Sequence, residues 1–336
     1  MFDIITFGSA AKDIFLRSKN LKVVGEKKFV TGKGLCFSFG SKIDVENIAF
    51  TTGGGGTNTA ATFVNQGFKT AYCGVIGKDK AGDEILQELK GLGIDTGFVK
   101  RISSKITNHS VILSSFSQKE RTILVYRGAS GEQTKKDIPW PKLKAKWFYL
   151  APFSGQQVLL SEMLVNFAKK NRLKIAMNPS IAQLSLPQAA LKRILSKVDV
   201  LILNREEASF LTNLPYKNEV EIFKKLDAFV PGICIMTKGS KGVVVSDGKL
   251  LYKAGSLGMK AVDFTGAGDS FAAGFVSGLI QSKGSIEYAI QLGMANGGFC
   301  LTQLGAKKGL LKKNQKWRKV KVQKEICSLN NRCLLK

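Results

Sequence analysis

Histidine is nearly absent from this chain: His109 is the only one among 336 residues. That leaves no material for a two-histidine metal site, and any histidine-based triad would depend on His109 alone. The six cysteines (Cys36, Cys73, Cys234, Cys300, Cys327 and Cys333) form no C-x-x-C pair and no Cys/His cluster, so zinc-finger and dithiol chemistry are excluded. Several of them sit inside apolar runs, where a free thiol packs as a small hydrophobe. No apolar run approaches the roughly 20 residues of a membrane span, and the opening MFDIITFGSAA lacks a basic leader region. A reduced, cytoplasmic setting without membrane contact is expected. Prolines number only 7 and no stretch has linker composition. Acidic residues are also short, 25 against 51 Lys+Arg, for a net charge of +26. Such a balance attracts polyanions. The excess is scattered, however, and only KKGLLKKNQKWRKVKVQK (307–324) concentrates it. No RNP, KH, helix-turn-helix or zinc pattern accompanies it. Solvated helix faces account for scattered lysine, and the field also suits a phosphate-bearing substrate.

What is present is rhythm. Short continuous apolar runs recur at DIITFG (3–8), TAYCGVIG (70–77), WFYLAP (147–152), LKIAMNP (173–179), VDVLILN (198–204) and ICIMTKG (233–239). Unbroken runs of this length suit strands covered on both faces. Helical patterns lie between them, at 79–93, 156–171, 206–213 and 218–229. Strand alternating with helix predicts an α/β fold around a mostly parallel, doubly wound sheet, with ligands at the carboxyl ends of its strands. Residues 14–52 and about 98–127 break this rhythm with β-type alternation, as in HSVILSSFS and RTILVYRG, and are predicted to form a small β lid.

The strongest local signal is AVDFTGAGDSFAAGFVSGLI (261–280). A strand end runs into Asp263-Phe264-Thr265-Gly266-Ala267-Gly268-Asp269 and then into a helix of small residues. Glycine and alanine at a helix amino terminus leave backbone N–H groups pointing outward, where the dipole also favours an anion. Asp269 stands beside that hole. A carboxylate next to an anion hole is what activation of a hydroxyl beside a transferring phosphoryl group requires.

D-x-x-G-A-G-D resembles the second signature of the ribokinase-like (PfkB) carbohydrate kinases. Their first signature is similar to TGGGGTNTAATFVNQG (52–67), in which Gly53, Gly54, Gly56 and Asn58 match the substrate element. The resemblance covers residues 1 to about 310, leaving 311–336 as a basic tail or closing helix. It implies an ATP-dependent transfer of the γ-phosphoryl group to a hydroxyl of a small sugar, ribose first among pentoses and hexoses. By the same resemblance Asp269 is the base, and the amides of Gly266, Ala267 and Gly268 hold the developing charge. Asp13, Gly53, Gly54 and Asn58 grip the acceptor, with Arg127 as a further candidate. Asn204, Thr237, Gly239 and Gly242 line the nucleotide. Glu207 holds Mg²⁺ through water, and Asp263 and Thr265 match a site for a monovalent cation such as K⁺. LGAKKG (304–309) resembles the return loop beside the adenine.

Two other readings stand beside this one. A nucleoside kinase of the same fold would need an apolar slot for a base, for which Phe37, Phe39 and Phe116 are candidates. A non-catalytic basic protein binding nucleic acid is the distant alternative. His109 is expected to be structural, and a homodimer through the lid strands would cover their open edges.

Overall fold

The computed structural model describes residues 1–26, 32–115, 121–328 and 332–333. The chain opens with β1 (Phe2–Phe7), β2 (Ala11–Ser18), β3 (Lys22–Gly25), β4 (Lys33–Cys36) and β5 (Asn47–Gly53). There follow α1 (Gly55–Asn65), β6 (Thr70–Gly77), α2 (Lys80–Gly91), β7 (Asp95–Ile102), β8 (Asn108–Ser115) and β9 (Arg121–Tyr126). The middle of the chain forms β10 (Ala145–Leu150), α3 (Leu160–Lys170), β11 (Lys174–Met177), α4 (Ile181–Leu184), α5 (Gln188–Leu195), β12 (Val200–Asn204) and α6 (Arg205–Thr212). It closes with α7 (Glu219–Phe229), β13 (Ile233–Thr237), β14 (Val243–Ser246), β15 (Leu250–Ala254), α8 (Ala267–Gln281), α9 (Ile286–Cys300), β16 (Val322–Ser328) and β17 (Arg332–Cys333).

An 11-stranded sheet runs in the order β17-β16-β15-β14-β13-β12-β11-β10-β1-β6-β7. The seven strands from β13 to β7 are mutually parallel, and β14 to β16 turn back antiparallel. The doubly wound sheet is as expected, and the unbroken apolar runs have a direct cause. In β12, Leu201 and Leu203 enter a core shared with α3, α5 and α7, while Val200 and Ile202 enter one shared with α8 and α9. Every second residue faces a different helix layer, so neither parity can be polar.

A separate sheet, β5-β2-β8-β9, forms the lid. It starts at Ala11, before the expected position 14, and its second segment starts at Asn108. Residues 98–102 belong instead to β7, at the edge of the central sheet. The unit β6–α2–β7 is one more parallel crossover, so β7 continues the main sheet. The segment after Gly309 is also corrected. It is neither a closing helix nor a loose arm: Leu310, Leu311 and Val320 are buried, and β16 pairs antiparallel with β15. Lys253 of β15 pairs with Glu325 of β16 at 2.9 Å.

Cys73, Cys234 and Cys300 are buried free thiols, and burial pushes Cys73 up to about 12. The side chains of Cys327 and Cys333 lie outside the described residues. Among the described residues no helix is long and apolar enough to cross a membrane.

The small-residue helix α8 packs tightly against α9. A Cβ on Gly278 would come within 2.7 Å of the Ala289 Cα. Gly278→Val should therefore force the two helices apart and lower stability by about 1–3 kcal/mol, read as a shift in urea midpoint at constant slope.

Candidate functional site

The site lies at the carboxyl ends of the parallel strands, under the lid. The first signature enters it through β5. Gly54 has φ 97° and a Cβ there would lie 2.4 Å from the Ser9 carbonyl oxygen, so glycine is required. Gly53 faces the Asp13 carboxylate so closely that a Cβ would meet Oδ2 at 2.1 Å. The turn delivers Asn58, 4% exposed, one helical turn into α1.

The second signature meets it from the other side. Gly266 adopts φ 77° and caps α8, and a Cβ there would strike Ala306 at 2.2 Å. The first regular bond of the helix is Ser270 N–H to the Gly266 carbonyl at 2.8 Å. The N–H groups of Ala267, Gly268 and Asp269 precede it and have no acceptor four residues back. Ala267 and Gly268 open onto a cleft of about 1150 Å³. The Ala267 N–H makes only a long bond, 3.5 Å, to the Phe264 carbonyl, so this helix terminus is suited to an anion.

Asn58 and Asp269 meet: Asn58 Nδ2 donates to Asp269 Oδ2 at 2.9 Å. Burial pushes the Asp269 carboxyl up, and the Asn58 amide and the Lys307 cation pull against it. Asp13, on β2, is 4% exposed and is pushed up to about 6, mainly by burial. Ser110, opposite it on β8, and Lys307 oppose that rise, while Asp263 and Asp269 add to it. The Oδ1 atom of Asn58 is buried and has no hydrogen-bond partner among the described residues. Two carboxylates and an unpaired carbonyl oxygen therefore converge, an arrangement that accepts hydroxyl protons.

Asp263 accepts from the Thr265 N–H at 3.1 Å, the Thr265 hydroxyl at 3.0 Å and the Gly305 N–H at 3.0 Å. It clamps the return loop against the α8 terminus. Asn204 caps α6: its Oδ1 accepts from Glu207 N–H at 2.9 Å, and Glu207 Oε2 accepts from Asn204 N–H at 2.8 Å. Burial raises Glu207, helped by the negative charges of Glu206 and Asp269. Thr237, paired with Asn204 across β12 and β13, lines the cleft with Gly239, Gly242 and Asp263. No group of three or more His, Cys, Asp or Glu suited to a metal occurs among the described residues.

Arg127 does not join the site. It is exposed after β9 ends at Tyr126, because Ala129 N–H bonds to the Ile106 carbonyl and turns the chain back inward. Arg121, at the other end of that strand, lines the cleft and stacks over Phe264. The His109 ring bonds to the Thr107 carbonyl at 2.8 Å, which is a structural role. Phe37 and Phe39 are exposed and not in the cleft wall, and Phe116 lies outside the described residues. Phe15 lines the cleft instead. Lys307 was also missed, since nothing in AKKG distinguishes a buried lysine from its exposed neighbour Lys308.

Two glycine-rich turns joined by the Asn58–Asp269 hydrogen bond at a helix amino terminus, beneath a four-stranded lid, fit a sugar kinase of the ribokinase type. The model of the pfkB family of carbohydrate kinases matches residues 18–313, and the chain belongs to that family. It is 29% identical to a ribokinase of Haemophilus influenzae over 81% of this chain and 88% of that protein. It is 28% identical to an adenosine kinase of Schizosaccharomyces pombe, over 79% and 84% of the two chains. The structure of Arabidopsis thaliana ribokinase complexed with ribose and ATP superposes with a TM-score of 0.75 at 21% identity, covering 93% of this chain and 96% of that one.

Protonation of Asp13 removes its capacity to accept two hydroxyl protons. The KM for the acceptor should rise about tenfold per pH unit below pH 6, and Asp13→Asn should abolish that dependence while leaving KM high throughout. Initial rates across pH 5–8 check this.

Proposed function

We propose that the enzyme transfers the γ-phosphoryl group of ATP to a hydroxyl of ribose or a similar small sugar, with Asp269 as base. The observation that carries this reading is the Asn58–Asp269 hydrogen bond, which joins the acceptor-binding turn to the rim of the anion hole. The acceptor hydroxyl gives its proton to Asp269, its oxygen forms the new bond to the γ-phosphorus, and the bond to the β-bridging oxygen breaks to release ADP. Because the transition state is loose, proton loss is late and an ordinary carboxylate suffices. The N–H groups of Gly268 and its neighbours Ala267 and Gly266 face the charge on the transferring oxygens. Asp13, Gly53, Gly54 and Asn58 hold the acceptor, while Asn204, Thr237, Gly239 and Gly242 border the nucleotide.

The site suits a divalent ion bound to the phosphates. Glu207 keeps one oxygen outside its capping bond, and its repulsion with Asp269 would be relieved by a cation between them. Mg²⁺ held there through water would neutralise phosphate charge. Asp263 and Thr265 are the residues we assign to a monovalent cation such as K⁺, through a loop their mutual bonds already shape.

A nucleoside acceptor is the second reading, favoured by the lid. Along its inner face the strand register forms rungs: Thr51, Asp13 and Ser110, then Ala49, Phe15 and Ile112. The polar rung suits a sugar, and the apolar one beyond it suits a base. The exposed Ile48, Phe50, Leu124 and Tyr126 on the lid's edge strands suit pairing with a second copy of the chain.

Asp269→Asn should leave ATP affinity within a few-fold of native and cut turnover by about 10²–10⁴. Near-native turnover would remove Asp269 from the role. ADP release measured with ribose, fructose, adenosine and cytidine decides the acceptor, and acceleration by nucleosides alone would replace the sugar reading with the second.

A further inference from the structure

Lys307 is the buried charge that the transfer step above leaves unused. Its side chain is 4% exposed, and its ammonium donates to Thr52 Oγ1 at 2.5 Å and lies 3.2 Å from Glu88 Oε2. The Thr52 hydroxyl donates to that same Glu88 oxygen. A buried ammonium persists only where partners replace its lost hydration. Burial pulls Lys307 down, and Glu88, Asp13 and Asp269 hold it up.

The loop carrying Lys307 touches both signature turns. Gly305 N–H bonds to Asp263, and Ala306 fills the space under Gly266. Lys307 then reaches Thr52, the residue before Gly53. The groups facing Asp269 are Asn58 from α1, Asp13 from β2, Tyr149 from β10, Glu207 from α6 and Cys300 from α9. Each is neutral or acidic, so Lys307 supplies the charge of opposite sign.

We infer that Lys307 is a positioning residue for the transfer step: held between Thr52 and Glu88, its ammonium balances the Asp13–Asp269 carboxylates and docks the acceptor turn onto the α8 terminus. This rests on Asp269 being the base. A lysine that only fills space would contribute equally at every pH. One that balances Asp269 sets the pH at which the base becomes available, because losing a nearby cation favours the protonated acid.

Lys307→Met should move the acid limb of the kcat profile upward by about one pH unit, a loss of about tenfold below the limb that shrinks above it. Lys307→Arg, which keeps the charge, should restore a limb close to native. A loss of equal size at all pH values, or an unmoved limb, overturns the inference. Should Lys307→Met not fold, Lys307→Gln serves: it too removes the charge and should move the limb upward, and an unmoved limb again overturns the inference. Asp269→Asn separates the two levels: near-native turnover there defeats the base assignment, whereas its loss with an unmoved limb in Lys307→Met defeats only the role of Lys307.

Discussion

The hydrogen bond between Asn58 and Asp269 spans 211 positions of sequence, and the rest of the site is arranged so that it can form. Its two ends sit on the amino-terminal turns of α1 and α8, which must therefore lie side by side with their termini level. A buried polar hub sets that level. Asn296 of α9 donates to the Thr62 hydroxyl of α1 at 3.2 Å and to the Ser270 carbonyl of α8 at 2.7 Å, and accepts from Leu311 N–H at 2.9 Å. A buried amide with all these bonds made fixes one relative placement of three helices, since slipping any of them strands a polar group. The small residues of α8 do the same work from the apolar side by allowing α9 close approach. The meeting of Asn58 and Asp269 is a consequence of helix packing within one turn of it.

The parallel core was legible because two-sided burial removes polar residues from both strand parities, leaving runs no surface strand would show. Helix positions followed from 3.6-residue patterning between those runs, and agree with the structure to within a few residues. The lid boundaries were less legible. Strand β7 lies at a sheet edge with half-buried residues on both parities, so its pattern matches a lid strand as well as a core one. Strand β16 was hidden by composition: it ends the lysine-rich run 307–324, which looks like a solvated arm, yet residues 322–326 pair with β15.

In the site, the residues that carry local signatures were legible and those that act across the fold were not. Gly54 and Gly266 announce themselves because only glycine tolerates their dihedral angles and close neighbours. Asp13 could be reached only through resemblance, for its strand has no motif of its own. Arg127 and Arg121 could not be told apart, since which end of β9 faces the cleft depends on where the chain turns. Lys307 carries no signal at all in a sequence with 51 basic residues. Its burial is decided by Thr52 and Glu88, which come from β5 and α2.

That pairing bears on the oddest feature of the composition. A chain of net charge +26 has gathered Asp13, Asp263, Asp269 and Glu207 within electrostatic reach of one another. Burial drives Asp13, Asp269 and Glu207 toward neutrality, and neighbouring carboxylates drive Asp13 and Glu207 further. What keeps them usable is different in each case. Asp13 has the Ser110 hydroxyl and the Lys307 cation, Glu207 has the α6 terminus, and Asp269 has the Asn58 amide and the same Lys307 cation. Asp269 thus depends on one amide and one cation, both of them supplied from other parts of the fold. In the role proposed for Asp269, few hydrogen bonds are better than many, since every donor that holds the carboxylate charged also weakens its pull on the acceptor's proton.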